Sequence, residues 1–468
     1  MTSAPGSIAQ RGAVASCLSF MFSAITSAMQ PARLPIALLA VLLIAGLAPL
    51  IDLGAGKNYG PRGFNSSPLS ATEIELGTQR ARSAANRVAS EEVEQLESDA
   101  RGDGSVLGRT VTRSELATAV RSATSKRIAD RIANGVSSDD PELLRLRQRA
   151  AEAMLVIEET APRGIATTFL AAERSAVRQA TASMLRFDFN AALGAVVAGI
   201  FALPLAAMRE SPLVFTLALV LVVCLISLLA GGSCRMAAIH AGRGGRLTMV
   251  EGAMFARTRA LNLVALPVLP ALVIGLFALV VIVFTALLRV PVLNVISGAL
   301  FVIPMLVALL GSILALTVIA GFPLMPAAIA VEDCDAGDAI TRAGALVLAR
   351  PLAWLGILGA SLIALAIGGI LVNAIVATAS TGIDTLLATL GGDAGRALSS
   401  GDGAEVAALF GPDRLVALLV GFWNSLLDAT VAAYVFTLAC DLATRSYLWM
   451  RERIDGENAA TISGYGLR

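Results

Sequence analysis

Residues 213–229 read LVFTLALVLVVCLISLL, seventeen positions without a charge. A bilayer core about 30 Å thick is crossed by roughly 20 apolar residues of helix. A soluble helix would carry a polar face at 3.6-residue spacing, and this stretch has none. Working outward in both directions, five further stretches meet or nearly meet the same test: 34–51, 261–288, 300–320, 352–379 and 415–442. The sequence therefore reads as an all-α, polytopic helical membrane protein with six spans. A seventh stretch, 191–208, is rich in Ala and Gly, contains Pro204, and is separated from the next span only by Arg209–Pro212.

Composition agrees. Hydrophobic residues make up 56% and charged residues 15% of 468, with a mean hydropathy of +0.75. Soluble domains carry about 25% charged residues, so the deficit points to lipid as solvent. A net charge of +1 gives no case for nucleic acid. None of Cys17, Cys224, Cys234, Cys334 and Cys440 stands at CxxC spacing, so neither a zinc site nor a disulfide framework is expected.

Charge placement orients the spans. The 234–260 loop holds Arg235, Arg243, Arg246, Arg257 and Arg259 against Glu251 alone, and Arg445, Arg451 and Arg453 follow the last span. Both segments are expected to be cytoplasmic by the positive-inside rule. The 381–413 loop, with Asp384, Asp393, Asp402 and Glu405 against Arg396, suits the outer side. Arg11 and Arg33, with no acid before Asp52, favour an inside N-terminus. Six spans then give a cytoplasmic segment 1–33, an anchor 34–51 and an extracytoplasmic polar region 52–190. An interfacial or re-entrant helix 191–212, a membrane domain 213–442 and a cytoplasmic tail 443–468 follow. A crossing by 191–208 would reverse the side of 52–190. The expected location is a bacterial inner membrane, and the 34–51 stretch is read as an uncleaved anchor because more than thirty mixed residues precede it.

Region 52–190 carries helix signals. Thr112-Arg-Ser-Glu115 is a capping box, followed by Leu116, Val120, Ile128 and Ile132 on one stripe. Asp140-Pro141 reads as an N-cap with proline at N1, and Leu143, Leu146, Ala150, Ala153 and Ile157 form an a/d seam behind it. Pro162-Arg-Gly164 ends that helix, and another is expected over 167–187. The alanine-rich faces bury little area, which predicts a thin bundle supported by the membrane domain or a protein partner.

The membrane domain repeats itself. Residues 213–288 run span, Gly231-Gly232, Ala237-Ala238-Ile239, short polar segment, span; residues 300–379 run span, Gly321-Phe-Pro323, Ala327-Ala328-Ile329, short polar segment, span. Thr248 with Glu251, and Asp335 with Asp338, place a cap residue before an acid at N3 in the two polar segments. Parallel repeats of this kind occur in transporters.

Gly231-Gly-Ser-Cys-Arg-Met-Ala-Ala-Ile-His240 resembles a Gly-Gly-x-x-Arg-x-Ala-Ala motif of an uncharacterised family of bacterial polytopic membrane proteins. The stretch from Pro323 to Arg342, followed by Arg350-Pro351, resembles that family's second motif, and Arg451-Glu-Arg-Ile-Asp-Gly456 its tail. The layout is similar, more distantly, to the membrane domain attached to glycerophosphodiester phosphodiesterases. The resemblance covers 210–460 and leaves out 52–190. It implies membrane location without a known activity, and the phosphodiesterase chemistry does not carry over.

Few residues suggest chemistry. Asp428, with Asn424 one turn earlier, lies mid-span; such a carboxylate is expected to face the bundle interior, as an ion- or proton-linked site or in a hydrogen bond to Asn262 or Asn373. Glu332, Asp333, Asp335 and Asp338 lack EF-hand spacing, and helix capping accounts for Asp335 and Asp338, so no metal is expected. His240, the one histidine, reads as a surface residue. Arg235, Arg243, Arg246, Arg257 and Arg259 are candidate contacts for anionic lipid headgroups, or a topology signal. The glycine-rich 391–403 loop lacks a P-loop lysine. No cofactor is expected. The sequence favours a non-enzymatic scaffold, assembly or regulatory protein; a transporter or channel using Asp428, and a membrane-embedded lipid enzyme, are the alternatives.

Overall fold

The computed structural model describes residues 13–55, 57–59, 70–102, 111–136, 140–186, 188–290, 293–391, 395, 398–399, 409, 411–458 and 460–462. The architecture is α-helical, with six helices long and apolar enough to cross a membrane: Leu34–Leu53, Pro212–Arg243, Ala260–Leu287, Val302–Gly321, Pro351–Leu390 and Arg414–Ile454. In their most apolar windows only 6–22% of residues are buried, and Leu276, Leu309, Leu316 and Leu362 stand exposed. Water would not tolerate an apolar surface of that extent, so these faces are solvated by lipid.

In chain order the helices are α1 (Ala13–Ser27), α2 (Leu34–Ala55), α3 (Ala71–Val88), α4 (Ser90–Gly102), α5 (Arg113–Ala133), α6 (Pro141–Glu159), α7 (Ile165–Leu185), α8 (Phe189–Val197), α9 (Leu203–Glu210), α10 (Pro212–Arg243), α11 (Met249–Thr258), α12 (Ala260–Leu287), α13 (Leu293–Ala299), α14 (Val302–Gly321), α15 (Leu324–Glu332), α16 (Ala336–Ala349), α17 (Pro351–Leu390) and α18 (Gly411–Ile454). Among the described residues the one departure from helix pairing is a two-stranded antiparallel ladder, β1 (Lys57–Tyr59) with β2 (Arg163–Gly164). The chain divides into two units. One comprises residues up to 44, 217–373 and from 429 on; the other comprises 45–216 and 374–428.

The first unit is built around small residues. Ala237, Ala238 and Ile239 at the end of α10, and Leu324 to Val331 in α15, are buried with Trp354 and Tyr447. Gly231 leaves room for Leu263, and a Cβ on Gly232 would stand 2.8 Å from the Gly252 carbonyl. The paired glycines thus let α11 and α12 close onto α10. Thr248 and Glu251 form the expected capping box of α11, and Asp335 accepts the Asp338 amide at the start of α16. The N-terminal residues do more than the plain cytoplasmic segment expected of 1–33. Residues 13–27 are helical, and Met21 and Ala24 are buried in the unit's core.

In the second unit α3, α4, α5 and α6 pack through Ala81, Ala84, Ala85, Leu116, Val120, Ala150, Ala153, Met154 and Ile157, the thin alanine-rich core that the sequence predicts. The capping boxes at Thr112 and at Ser70–Glu73, and the Asp140 cap with Pro141 at N1, start α5, α3 and α6. Ile132 falls off the expected stripe and is exposed. The ambiguous 191–208 stretch is two short helices joined by a π turn at Ala198–Ala202, packed along α7. The helix begun at Pro351 continues to Leu390, past the expected loop start at Thr381; Asp384 is on it, and Asp393, Arg396, Asp402 and Glu405 lie outside the described residues.

Candidate functional site

Two ionic clusters inside the first unit gather charges from distant parts of the chain. In the first, Arg33 sits immediately before α2 with 1% of its side chain exposed, and Asp441 in α18 is fully buried. Arg33 donates to Asp441 Oδ1 at 3.2 Å and to the Met236 carbonyl at 3.2 Å. Arg445, one turn along α18, reaches Asp441 Oδ2 at 3.2 Å and also donates to the Phe20 carbonyl at 2.9 Å and to Ser23 Oγ at 2.7 Å. Ser27 donates its hydroxyl to the same carboxylate. Burial pulls the Arg33 guanidinium below its ordinary range while Asp441 beside it acts in the opposite sense; an arginine remains charged through such a shift. A carboxylate in this position is the hub for α1, α2 and α18. Removing one partner of a buried pair costs about 3–5 kcal/mol, because it strands a charge away from water.

In the second cluster Glu332, at the end of α15, accepts from Tyr447, pairs with Arg342 of α16 and lies 3.5 Å from Arg451 Nε. Arg451 also pairs with Glu457 and donates to the Thr461 carbonyl at 2.8 Å. Beside it Asp333 ends α15 with a left-handed backbone, φ 58°, and its carboxylate holds Arg259 Nε at 2.8 Å. Asp tolerates that conformation better than a bulky residue. Arg235, 5% exposed, donates to the Ala330 carbonyl at 2.6 Å and lies over the Phe255 ring at 4.9 Å. The residues of the three quoted motifs therefore meet in one unit: Gly231, Gly232 and Arg235 from the first, Glu332 and Arg342 from the second, Arg451 from the tail.

The sequence-derived candidates are redistributed. Asp428 does not face a bundle interior: its carboxylate is 64% exposed and paired at 2.9 Å with Arg178 of α7, itself 74% exposed. A cation from the polar region takes the place of the expected Asn262 or Asn373, and Asn424 is exposed beside it. Of the five arginines assigned to headgroups, Arg235 is withdrawn by burial. Arg243 donates to the carbonyls of Ala460 and Ile462, at 3.0 Å each, and Arg259 is held by Asp333. Arg246 and Arg257 are exposed. His240 is half-buried, with Gln30 Nε2 at 3.1 Å from Nε2 and 3.3 Å from Nδ1. Among the described residues no group of three or more His, Cys, Asp or Glu is arranged for a metal ion.

Two further carboxylates hold the fold without belonging to any sequence motif. Asp441 lies inside the last apolar stretch at i, i+4 from Arg445, a spacing that could have marked it. Asp52 accepts the amides of Ala166 at 2.7 Å and Thr167 at 3.0 Å, capping α7 from 114 residues away. No family model matches the chain, and neither the curated proteins nor the solved structures compared with it include a match.

Proposed function

We propose that this chain is a non-catalytic scaffold of a bacterial cytoplasmic membrane, with an assembly or regulatory role. On this reading the polar helices 71–185 are held on the outer face for a partner. The observation that carries the proposal is the Arg33–Asp441–Arg445 hub. Its buried charges are matched across α1, α2 and α18 in a way that fixes a frame. A mobile ion-linked carboxylate would instead need an approach path and a changeable partner.

The same hub supports an even number of crossings. Arg33 precedes α2 and bonds the Met236 carbonyl near the end of α10. Both ends therefore belong to one membrane face, which α2 and α10 satisfy without a crossing between them. A transmembrane passage by 191–208 would place them on opposite faces. The two span–short helix–span sets are best explained by duplication, with Arg246 and Arg257 toward cytoplasmic lipid headgroups.

Photo-crosslinking residues placed at exposed positions of α5 and α6 in cells test the scaffold reading. The expected result is a discrete protein adduct that Asp52→Ala weakens while membrane insertion persists. Absence of any adduct, together with solute flux in proteoliposomes that Asp428→Asn abolishes, would replace the scaffold with a transporter.

A further inference from the structure

The second unit carries a groove of about 230 Å³ between α5 and α6, lined by Arg127, Arg131, Arg145, Arg149, Glu142 and a Leu143–Leu146 floor. Its four guanidiniums stand against one carboxylate, a surplus of three positive charges (four minus one). Arg127 and Arg131 are one turn apart on α5, as are Arg145 and Arg149 on α6, and like charges at that spacing destabilise a helix. Packing the two helices together adds repulsion between the pairs. Some of the charge is committed: Arg131 pairs with Glu142, and Arg127 donates to the Val88 carbonyl at 2.9 Å. The nearby Asp140 is turned to cap α6, accepting the Glu142 amide at 2.7 Å. Among the described residues Arg145 and Arg149 form no ion pair within 4 Å, and all four arginines are exposed.

From this convergence we propose that the α5–α6 groove binds a phosphorylated anion carrying two or three charges, a phosphate monoester or diphosphate group. Guanidiniums present planar forks that match phosphate oxygens two at a time. The small volume favours a group with its charge on one or two adjacent centres over an acidic peptide, whose single charges are spread along an extended chain. Glu142 acts as an internal competitor: it occupies Arg131 when the groove is empty and is displaced when phosphate enters. The proposal does not depend on the scaffold reading, since a transporter could carry the same groove.

The test uses the full chain in detergent, titrated calorimetrically with inorganic pyrophosphate in low-chloride buffer. Saturable one-to-one binding is expected, weakened at least tenfold by the exposed double substitution Arg145→Gln/Arg149→Gln and strengthened by Glu142→Gln. A short-chain phosphatidic acid serves as the second probe. Tighter binding of the lipid identifies a headgroup as the source, and tighter binding of pyrophosphate identifies a free phosphate; either supports the site. The proposal is overturned if neither probe saturates the protein, or if binding is indifferent to both variants. Should the double variant unfold, failure of Glu142→Gln to tighten binding overturns it alone.

Discussion

Asp441 ties distant segments of the first unit together. Arg33, Arg445 and Ser27 all converge on its two oxygens. Asp441→Asn keeps the shape and removes the charge, leaving two buried guanidiniums facing each other. The expected loss is about 3–5 kcal/mol of stability, seen as early thermal unfolding and aggregation in detergent; an unchanged melting profile would mean that the hub is solvated. Cys334 gives a second residue-scale expectation. Burial pushes its thiol up to about 11, so at pH 7 only roughly one molecule in ten thousand is thiolate. In a variant retaining Cys334 alone, alkylation should accelerate about tenfold per pH unit from 7 to 10. A rate that levels off near pH 8 would contradict the burial. The i, i+4 spacing to Arg445 is the one local signal of Asp441, whereas Cys334, between two aspartates, gives no local sign of the core it packs against.

At the scale of elements, local rules read well and long-range ones did not. The caps at Thr112, Asp140, Thr248 and Asp335 involve residues two or three positions apart, and the structure has each of them. The cap of α7 comes from Asp52, far away in sequence, and no spacing rule could announce it. It also explains Gly164, where an added Cβ would collide with the Asp52 carboxyl group. Gly164→Ala should expel that carboxylate and forfeit two charge-assisted bonds, a loss on the order of 3 kcal/mol. Limited proteolysis should then cut near the start of α7. Because both changes remove the same contact, Asp52→Ala combined with Gly164→Ala should cost less than the two single losses added together. Strict additivity would show that Asp52 and Gly164 act separately. The helix α1 escaped notice for a related reason: short, and without charge beyond Arg11 before it, its face acquires meaning only against α18.

For the whole molecule, the apolar stretches fixed the class, and the six long helices are found where the hydropathy places them. Their full lengths were less legible. α17 has 40 residues and α18 has 44, roughly 60 and 66 Å of helix and about twice a bilayer core. The apolar pattern fades into Ala, Thr and Gly without a proline, so hydropathy alone ends α17 about ten residues before Leu390. The proposed topology has α2 crossing and 191–208 not crossing, so that the loop after α10 is cytoplasmic and α5 is not. The direct measurement introduces Ser125→Cys in α5 and, separately, Arg246→Cys after α10 into a cysteine-free variant, and treats intact cells with an impermeant thiol reagent. Labelling of Ser125→Cys in intact cells, with Arg246→Cys reacting only after permeabilisation, is the result expected. Protection of both sites until permeabilisation would put α5 and the α10–α11 loop on one side and make 191–208 a seventh crossing.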